Sequence, residues 1–315
     1  MPSRISTANF NYPLTTYAQG HMQDRLSLYR IAQLIMPIVR VDAAAGTYKK
    51  FDDRNSFLAP ETRRGMGGHR TRLTFDATDA TYDCTPHGLE IAIDDHERER
   101  VGGANQMAND LLDQGKVQAM LSQKATAYGK RAIDFVIANS TAVTDRGNWS
   151  TDAIDPIDQI DEQLEALATE VGSENNIKLI LGLPAWTILR RNAKAKARMT
   201  GIKTALKKED LIDMLSLPVQ LEIGVASLTA TKRGQTVASI TKTNILGGYA
   251  FLMYSLPTPT IYDPTPYKCF STSDVLVESV KTYRDESSSS DVHCVDWSEC
   301  MKETSSLAMR MLAIT

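Results

Sequence analysis

Residues that could bind a metal or transfer protons occur in two places, and neither place has the spacing that this chemistry requires. His96 and Glu97 lie in a charged stretch, but no second histidine follows at the fourth position, where a zinc-binding helix needs one. His293, Cys294 and Cys300 lie in or near a strand-like segment with no evident fourth ligand. We therefore expect unpaired thiols in a sheet at the second place and no metal site at either.

The charged stretch around His96 favours ion pairing over acid–base catalysis. Four carboxylates alternate there with two guanidinium groups: Asp94, Asp95, Glu97 and Glu99 with Arg98 and Arg100. Such interleaving is typical of a solvated or intersubunit ion-pair cluster. The GMGG sequence at residues 65–68 lacks the strand and helix of a dinucleotide loop, and no phosphate-binding Lys-Ser/Thr loop or GxSxG elbow occurs. We assign no catalytic, cofactor-binding or metal-binding residue, and we predict no cofactor and no enzymatic activity.

The strongest charge feature is a basic segment between Arg190 and Lys208 that contains no acidic residue. Its cations could contact nucleic-acid phosphates without reading bases. They could equally meet acidic side chains of a neighbouring subunit, and the acidic balance of the whole chain favours this second interpretation. The cations are Arg190, Arg191, Lys194, Lys196, Arg198, Lys203, Lys207 and Lys208.

Composition limits the class of protein. The 315 residues are 42% hydrophobic and 23% charged, which is typical of a globular chain of one or two domains. A formal charge of −3 argues against a dedicated polyanion-binding protein. The longest apolar run, residues 31–41, is too short and too interrupted to span a membrane, and the N-terminal residues do not form a signal peptide. The four cysteines show no CxxC spacing, so we expect reduced thiols in a cytoplasmic setting.

Apolar periodicity predicts the elements that would position these residues. A polar arm over residues 1–41 ends in a possible helix at 24–34, and the longest helix, at 104–139, carries one apolar stripe. Gly115 and Gly129 lower the expectation that this long helix is continuous. Further helices are predicted at 156–171, from Pro184, and at 206–215; strands are predicted at 88–94, 177–181, from Val219, 237–240, 249–254, 275–283, 292–297 and 307–314.

Residues 42–82 are predicted to form ordered structure with almost nothing to bury. Short strands at 48–51 and 71–75 flank an Arg- and Gly-rich stretch whose sizeable apolar side chains are Phe57, Leu58 and Met66. A two-stranded hairpin of this kind is marginal by itself in water. The segment is therefore either disordered or ordered by lying on another molecule, and we favour the second.

The sequence KLILGLPAWTILRRNAKAKARM, which begins at Lys178, resembles a strand, short helix and basic stretch of tailed-phage major capsid proteins. The order of the flanking segments resembles them as well: an arm, the hairpin around YKKFDDRN, the strand GLEIAIDDHERER and a long helix. The strands VQLEIGVA and GGYAFLMY and the terminal hairpin TYRDESSSSDVHCVDW complete that order. The chain thus resembles a coat protein of the Hong Kong 97-like fold along nearly its whole length.

The resemblance implies an α+β, Hong Kong 97-like capsid fold with five parts. These would be an N-terminal arm (1–45), an extended hairpin called the E-loop (46–84), a peripheral domain with a long spine helix (85–155), an axial domain (156–255) and the return strands of the peripheral domain (256–315). The E-loop would lie across an adjacent subunit. Lys49, Lys50 and Asn55 lack a motif that would carry over the covalent cross-link of some relatives. The absence of a long leading segment implies a separate scaffolding protein or none.

The resemblance and the hairpin together predict a major capsid protein of a tailed bacteriophage, assembled in the host cytoplasm. Its partners would be itself in hexamers and pentamers, packaged double-stranded DNA by weak non-specific contact, and possible scaffolding, portal and decoration proteins; no membrane is involved. Three alternatives remain open at this point. They are a cargo-enclosing nanocompartment shell of the same fold, a soluble α/β enzyme, and a nucleic-acid-binding protein acting through the basic segment.

Overall fold

A computed structural model describes residues 11–24, 27–51, 61–72, 77–199, 206–229, 242–272 and 279–314. The helices are α1 (Tyr12–Asp24), α2 (Ser27–Ile35), α3 (Asp95–Val101), α4 (Gln106–Asn139), α5 (Pro156–Val171), α6 (Leu183–Arg191), α7 (Ala193–Ala197) and α8 (Lys208–Met214). The strands are β1 (Ile38–Arg40), β2 (Ala45–Phe51), β3 (Ala77–Asp83), β4 (Thr85–Asp94), β5 (Ile177–Gly182), β6 (Gln220–Gly224), β7 (Ser227–Thr229), β8 (Lys242–Asn244), β9 (Tyr249–Tyr254), β10 (Tyr267–Ser271), β11 (Lys281–Asp285), β12 (Ser290–Glu303) and β13 (Met309–Ala313).

The first sheet is organised around the long strand β12. Its first ten residues pair antiparallel with β4, its last four pair with β10, and β11 lies on its other edge. The spine helix α4 packs on this sheet through side chains spaced three and four residues apart, as expected for one apolar stripe. The buried members of the stripe include Val117, Met120, Leu121, Tyr128, Ala132, Ile133 and Val136.

The second sheet has the strand order β13-β9-β5-β6. Every residue of β5 is buried, because β5 lies between parallel β6 and antiparallel β9 and is covered by helices. Helix α5 begins at Pro156 behind the N-cap Asp155, whose carboxylate accepts the amides of Ile157 and Asp158. Ile160, Leu164 and Leu167 of α5 join the core of this sheet.

Several sequence predictions are confirmed and others are wrong. The long helix is continuous over 34 residues despite its two internal glycines, because its buried stripe outweighs their intrinsic cost. Within the polar arm, Tyr12–Asp24 is instead helical: Asn11 accepts the Leu14 amide through its side chain, and Leu14 and Ala18 are buried. Pro13 is compatible with this helix because it occupies the first turn.

The second hairpin strand was also placed wrongly. Thr71 and Arg72 are outside any strand, and β2 pairs instead with β3, from Ala45 opposite Asp83 to Phe51 opposite Ala77. Residues 73–75 lie outside the described part of the chain, as do the predicted strand at 237–240 and the first part of the strand predicted at 275–283. The strands predicted at 292–297 and 307–314 correspond to β12 and β13 and differ from them only in where they begin and end.

Candidate assembly interface

The base of the β2–β3 hairpin is fixed by three aromatic rings. Tyr48 and Tyr82, both buried, lie against the fully buried Phe270 of β10, with ring centroids 5.2 and 4.9 Å from it. Gly46 faces Tyr82 across the hairpin, and a Cβ atom there would stand 2.6 Å from the Tyr82 hydroxyl oxygen. Glycine therefore allows the Tyr82 ring to lie over the neighbouring strand and reach Phe270.

Polar contacts fasten the same base to the end of β12. The Tyr48 hydroxyl donates to the Glu303 carbonyl at 3.2 Å, and the Lys50 ammonium lies 3.2 Å from the Glu303 carboxylate. Cys84 follows the hairpin directly, and burial raises the pKa of its thiol to about 11. Its sulfur donates to the Phe270 carbonyl at 3.4 Å. The base of the hairpin forms its own two-stranded sheet and is packed against the first sheet, so it is not a free loop.

The distal part of the hairpin has a different character. All described residues from Glu61 to Arg72 are exposed, and Met66 is exposed completely. The Thr71 hydroxyl donates to the Glu61 carbonyl at 2.7 Å, and a turn at Gly65 to Gly68 reverses the chain between these two residues. We call residues 61–72 the tip. It carries four arginines against one glutamate, which gives a formal charge of +3 with His69 neutral.

The charged stretch around His96 forms helix α3, which connects β4 to the spine helix. The Asp94 carboxylate caps α3 by accepting the His96 amide at 2.7 Å. Arg284 of β11 donates two hydrogen bonds to Asp95, at 2.6 and 2.5 Å. These bonds lower the pKa of Asp95 and raise that of Arg284. The predicted ion pairing of this stretch is confirmed within the chain, and pairing between subunits stays a prediction.

A second group of ion pairs surrounds a buried histidine. Arg98 of α3 lies 2.9 Å from Asp113 of α4, and the His293 Nε2 atom lies 3.6 Å from the same carboxylate. Burial raises the pKa of Asp113, but the nearby His293 ring and the charge of Arg98 outweigh this, so the pKa is lowered overall. The other His293 nitrogen contacts the Thr282 hydroxyl at 2.9 Å. His293 is therefore part of a structural network.

The residues considered as metal ligands are not brought together as a site. All four cysteines are unpaired, with Cys84 and Cys269 buried and Cys294 and Cys300 half-buried. Across the described ranges, no group of three or more His, Cys, Asp or Glu side chains has the arrangement needed to hold a metal ion. Nor does any described helix combine the length and apolar character required to cross a membrane.

An exposed apolar patch lies where α3 meets the spine helix. Val101, Met107 and Leu111 are 52%, 72% and 59% exposed, and the last two lie one helical turn apart. Exposed Glu99 and Asp110 flank them, as does exposed Arg100. We call residues 94–116 the corner. Six acidic and three basic residues give it a formal charge of −3.

The described first half of the basic segment lies at the end of α6 and in α7. Buried Asn192 fixes the junction of these two helices, because its amide donates to the carbonyls of Trp149, Thr151 and Ile154. Its carbonyl oxygen accepts the amides of Lys194 and Ala195.

Some of these basic residues are neutralised within the chain. Arg198 pairs with Asp155 at 2.6 Å, and Lys208 lies 3.3 Å from Glu222. Arg190 lies over the Trp186 ring at 5.9 Å. Arg190, Arg191, Lys194 and Lys196 are exposed. Lys203 lies outside the described residues.

No family model matches the chain. One curated relative, the major capsid protein of Pseudomonas phage JBD67, is 26% identical over 243 residues, which is 72% of either chain. A phage-related protein from Bordetella bronchiseptica RB50 superimposes with a TM-score of 0.70 at 19% identity, over 96% of this chain and 97% of that one. A chain from the capsid structure of the cyanophage P-SCSP1u gives a TM-score of 0.55 at 8% identity, over 89% of this chain and 86% of that one.

The chain has the Hong Kong 97-type capsid fold. The predicted resemblance to tailed-phage capsid proteins is therefore confirmed. An encapsulin from Synechococcus elongatus PCC 7942 also matches, with a TM-score of 0.53 at 9% identity, over 91% of this chain and 88% of that one. This capsid fold is thus shared by phage shells and an encapsulin.

Sequence reasoning missed two features of this capsid fold, the anchor of the hairpin and the exposed apolar patch. The role of Phe270 in holding the hairpin depends on a contact across nearly two hundred residues, and no local pattern indicates it. The patch at Met107 and Leu111 did leave a signal, because this apolar pair at helical spacing lies outside the buried stripe that starts at Val117.

Proposed function

We propose that this chain is the major capsid subunit of a tailed bacteriophage and assembles through hexamers and pentamers into an icosahedral shell around double-stranded DNA. The hairpin is the observation that carries the proposal: its base is fixed to the first sheet, and its tip has no side chain buried by its own chain. A protruding segment of this kind suits the heterologous contacts by which identical subunits close a shell. The function requires no catalytic step, and assembly takes place in the host cytoplasm.

The tip docks on the corner of an adjacent copy. The two surfaces carry formal charges of +3 and −3, and each presents exposed apolar side chains, Met66 on the tip and Met107 and Leu111 on the corner. Three of the six acidic residues at the corner are occupied by Arg284, Arg98 and Lys116. Asp94, Glu99 and Asp110 contact His96 or Gln106 but no arginine or lysine among the described residues, so they can face arginines from outside.

Single surface ion pairs contribute only about 0.2–1 kcal/mol. In a shell every copy repeats the contact, so a small loss per tip is multiplied over many subunits that are held together. The apolar centre excludes water and the charges select the partner surface, which is the usual division of roles in an interface. Shell assembly should therefore weaken as salt screens the charged rim.

Deletion of residues 52–69 tests the role of the hairpin. The remaining subunit should fold, because the two sheets and the spine helix do not depend on the tip, but it should not close stable shells. Electron microscopy would show the particles, and circular dichroism would check the fold. Normal shells from the deleted chain would refute the proposal.

A charge exchange tests the docking surface separately. Arg63→Glu with Arg64→Glu, or Glu99→Lys with Asp110→Lys, should each reduce shell yield, and the four changes combined should restore it. As a matched control, Arg190→Glu with Arg191→Glu should not rescue the variant with lysines at the corner. Failure of the fourfold variant to recover would exclude the tip-to-corner contact without affecting the conclusion from the deletion.

A cargo-enclosing nanocompartment is the second candidate, favoured by the encapsulin match. In a phage shell, by contrast, double-stranded DNA contacts the wall only weakly and non-specifically, as the net charge of −3 suggests. Nuclease-protected DNA in purified particles would support the phage shell. Particles that contain protein cargo and no DNA would favour the nanocompartment.

A further inference from the structure

A groove of about 830 Å³ lies between α2, β1, the β5–β6 edge of the second sheet and the loop after β9. Three of its lining residues are cationic, namely Arg30, Arg40 and Lys178. Among the described lining residues none is acidic. Amide side chains and apolar residues form the rest of the wall, including Asn175, Gln220, Leu34, Ile38, Leu256 and Pro257.

Lys178 is buried in the wall of this groove and has no counter-charge among the described residues. It lies on the central strand β5 and is 8% exposed, and its ammonium donates to the buried Ser255 hydroxyl at 3.1 Å. Burial lowers the pKa of Lys178, and no carboxylate in the described part of the chain acts against this shift. A buried ammonium that has only a hydroxyl partner is costly to keep charged.

Lys268 shows how the same chain treats another buried lysine. Its ammonium lies 3.2 Å from the Asp263 carboxylate and donates to the carbonyls of Thr260 and Asp263 at 2.8 and 2.6 Å. Burial lowers the pKa of Lys268, but the charge of Asp263 raises it in part. Lys268 has a carboxylate partner, whereas Lys178 has none among the described residues. The groove offers a path by which a carboxylate of another molecule could reach the Lys178 ammonium.

The other two cations extend the positive charge toward solvent. Arg30 is paired with Glu222 at 2.7 Å, whereas Arg40, exposed on β1, has no acidic partner among the described residues. An anion entering the groove would meet Arg40 first and then the Lys178 ammonium. The groove has the volume of a site for a ligand of several residues, which is far larger than a small inorganic anion needs.

We propose that this groove binds a short acidic peptide segment of a partner protein, with a carboxylate placed at Lys178 and apolar side chains against Leu34, Ile38 and Leu256. The apolar part of the wall favours a peptide over a free oxyanion, because an inorganic anion would leave that surface uncovered. The carboxylate would supply the counter-charge that Lys178 lacks, and it would favour the charged form of the lysine. This site does not depend on the proposed shell function.

Lys178→Met is the informative change, because methionine has a similar length and no charge. If Lys178 served only stability, removing its charge and its hydrogen bond would weaken the fold. If it is a binding residue, the unliganded variant should be at least as stable as the wild type, since a buried unpaired charge has been removed. Arg40→Gln provides a second, exposed variant that does not perturb the core.

The experiment titrates the full chain, before assembly, with a fluorescent peptide of alternating glutamate and leucine. The wild type should bind this peptide, Lys178→Met should bind about tenfold more weakly or worse, and Arg40→Gln should also bind more weakly. The matched control Lys194→Met, at an exposed lysine outside the groove, should bind like the wild type. A peptide with glutamine in place of glutamate should not bind.

Three results would overturn the proposal. They are no binding of the glutamate peptide, equal affinity in wild type and Lys178→Met, or binding of inorganic phosphate that competes fully with the peptide while the leucines contribute nothing. The first two would remove the site itself. The third would replace the peptide with a small oxyanion.

Discussion

Phe270→Ala should release the hairpin from the body of the subunit. Phe270 is fully buried, and it contacts both tyrosines that hold the hairpin base. Truncating a buried phenylalanine costs about 3–5 kcal/mol. Each aromatic pair contributes about 0.5–1.5 kcal/mol of its own, so the loss should fall in the upper part of that range. Tyr48 and Tyr82 are the hairpin's large buried side chains in the described residues, so much of the loss should fall on β2 and β3.

Amide hydrogen exchange measures this local effect. If about 2–3 kcal/mol of the loss falls on the hairpin, its protected amides should exchange roughly 30- to 150-fold faster, since 1.4 kcal/mol corresponds to a factor of ten. Phe251→Ala is the matched control, because Phe251 is also fully buried but lies in β9 beside Tyr249. That change should destabilise the second sheet and leave hairpin exchange unchanged. Equal exchange in β2 and β3 of both variants would refute the anchoring role of Phe270.

Two further predictions concern stability. Trp186→Ala should lower the free energy of unfolding by about 3–5 kcal/mol, measured in urea, because the ring is 7% exposed within the second core; a loss near zero would contradict that packing. Asp113→Asn should make the free energy of unfolding fall less steeply as the pH is lowered into the acid range. The folded pKa of Asp113 is lowered, so its stabilisation is complete above its unfolded pKa of about 4 and is lost as the pH falls through the folded value. The free energies of unfolding of the wild type and of Asp113→Asn should therefore converge at low pH. A difference that stays constant with pH would contradict the stabilising role of the Asp113 carboxylate.

The sequence predicted the elements whose patterns are local. The uninterrupted apolar run of β5 and the three- and four-residue spacing of α4 each fit one kind of element, and the structure has both. Strand β3 was missed because its sequence, ATDATYD, contains one large apolar residue and two aspartates, which are unfavourable in strands. Helix α1 was missed because, among its described side chains, the buried apolar residues are only Leu14 and Ala18.

The two candidate sites, the tip and the groove, also differ in whether local sequence indicates them. The tip was predictable, since exposure follows from an Arg- and Gly-rich composition. The groove was not, because Arg40, Lys178 and Ser255 are distant in sequence and only the pairing of β5 with β6 and β9 brings this wall together. The status of a lysine as buried or exposed is decided by such non-local pairing, and its residue type does not indicate it.

Strand β4 leads directly from the hairpin to α3 and so connects the two proposed contact surfaces of the subunit. It starts two residues after the hairpin ends and finishes at the cap of α3, and all ten of its residues pair with β12. At about 3.3 Å per residue it is a rigid ruler of roughly 33 Å. In the proposed shell the length of β4 sets the distance between two neighbours of a subunit. One is the neighbour on which its tip docks, and the other is the neighbour whose tip docks on its corner. Lengthening β4 and its partner segment by two residues would add about 7 Å to that spacing, and the particle would have to change its radius or fail to close.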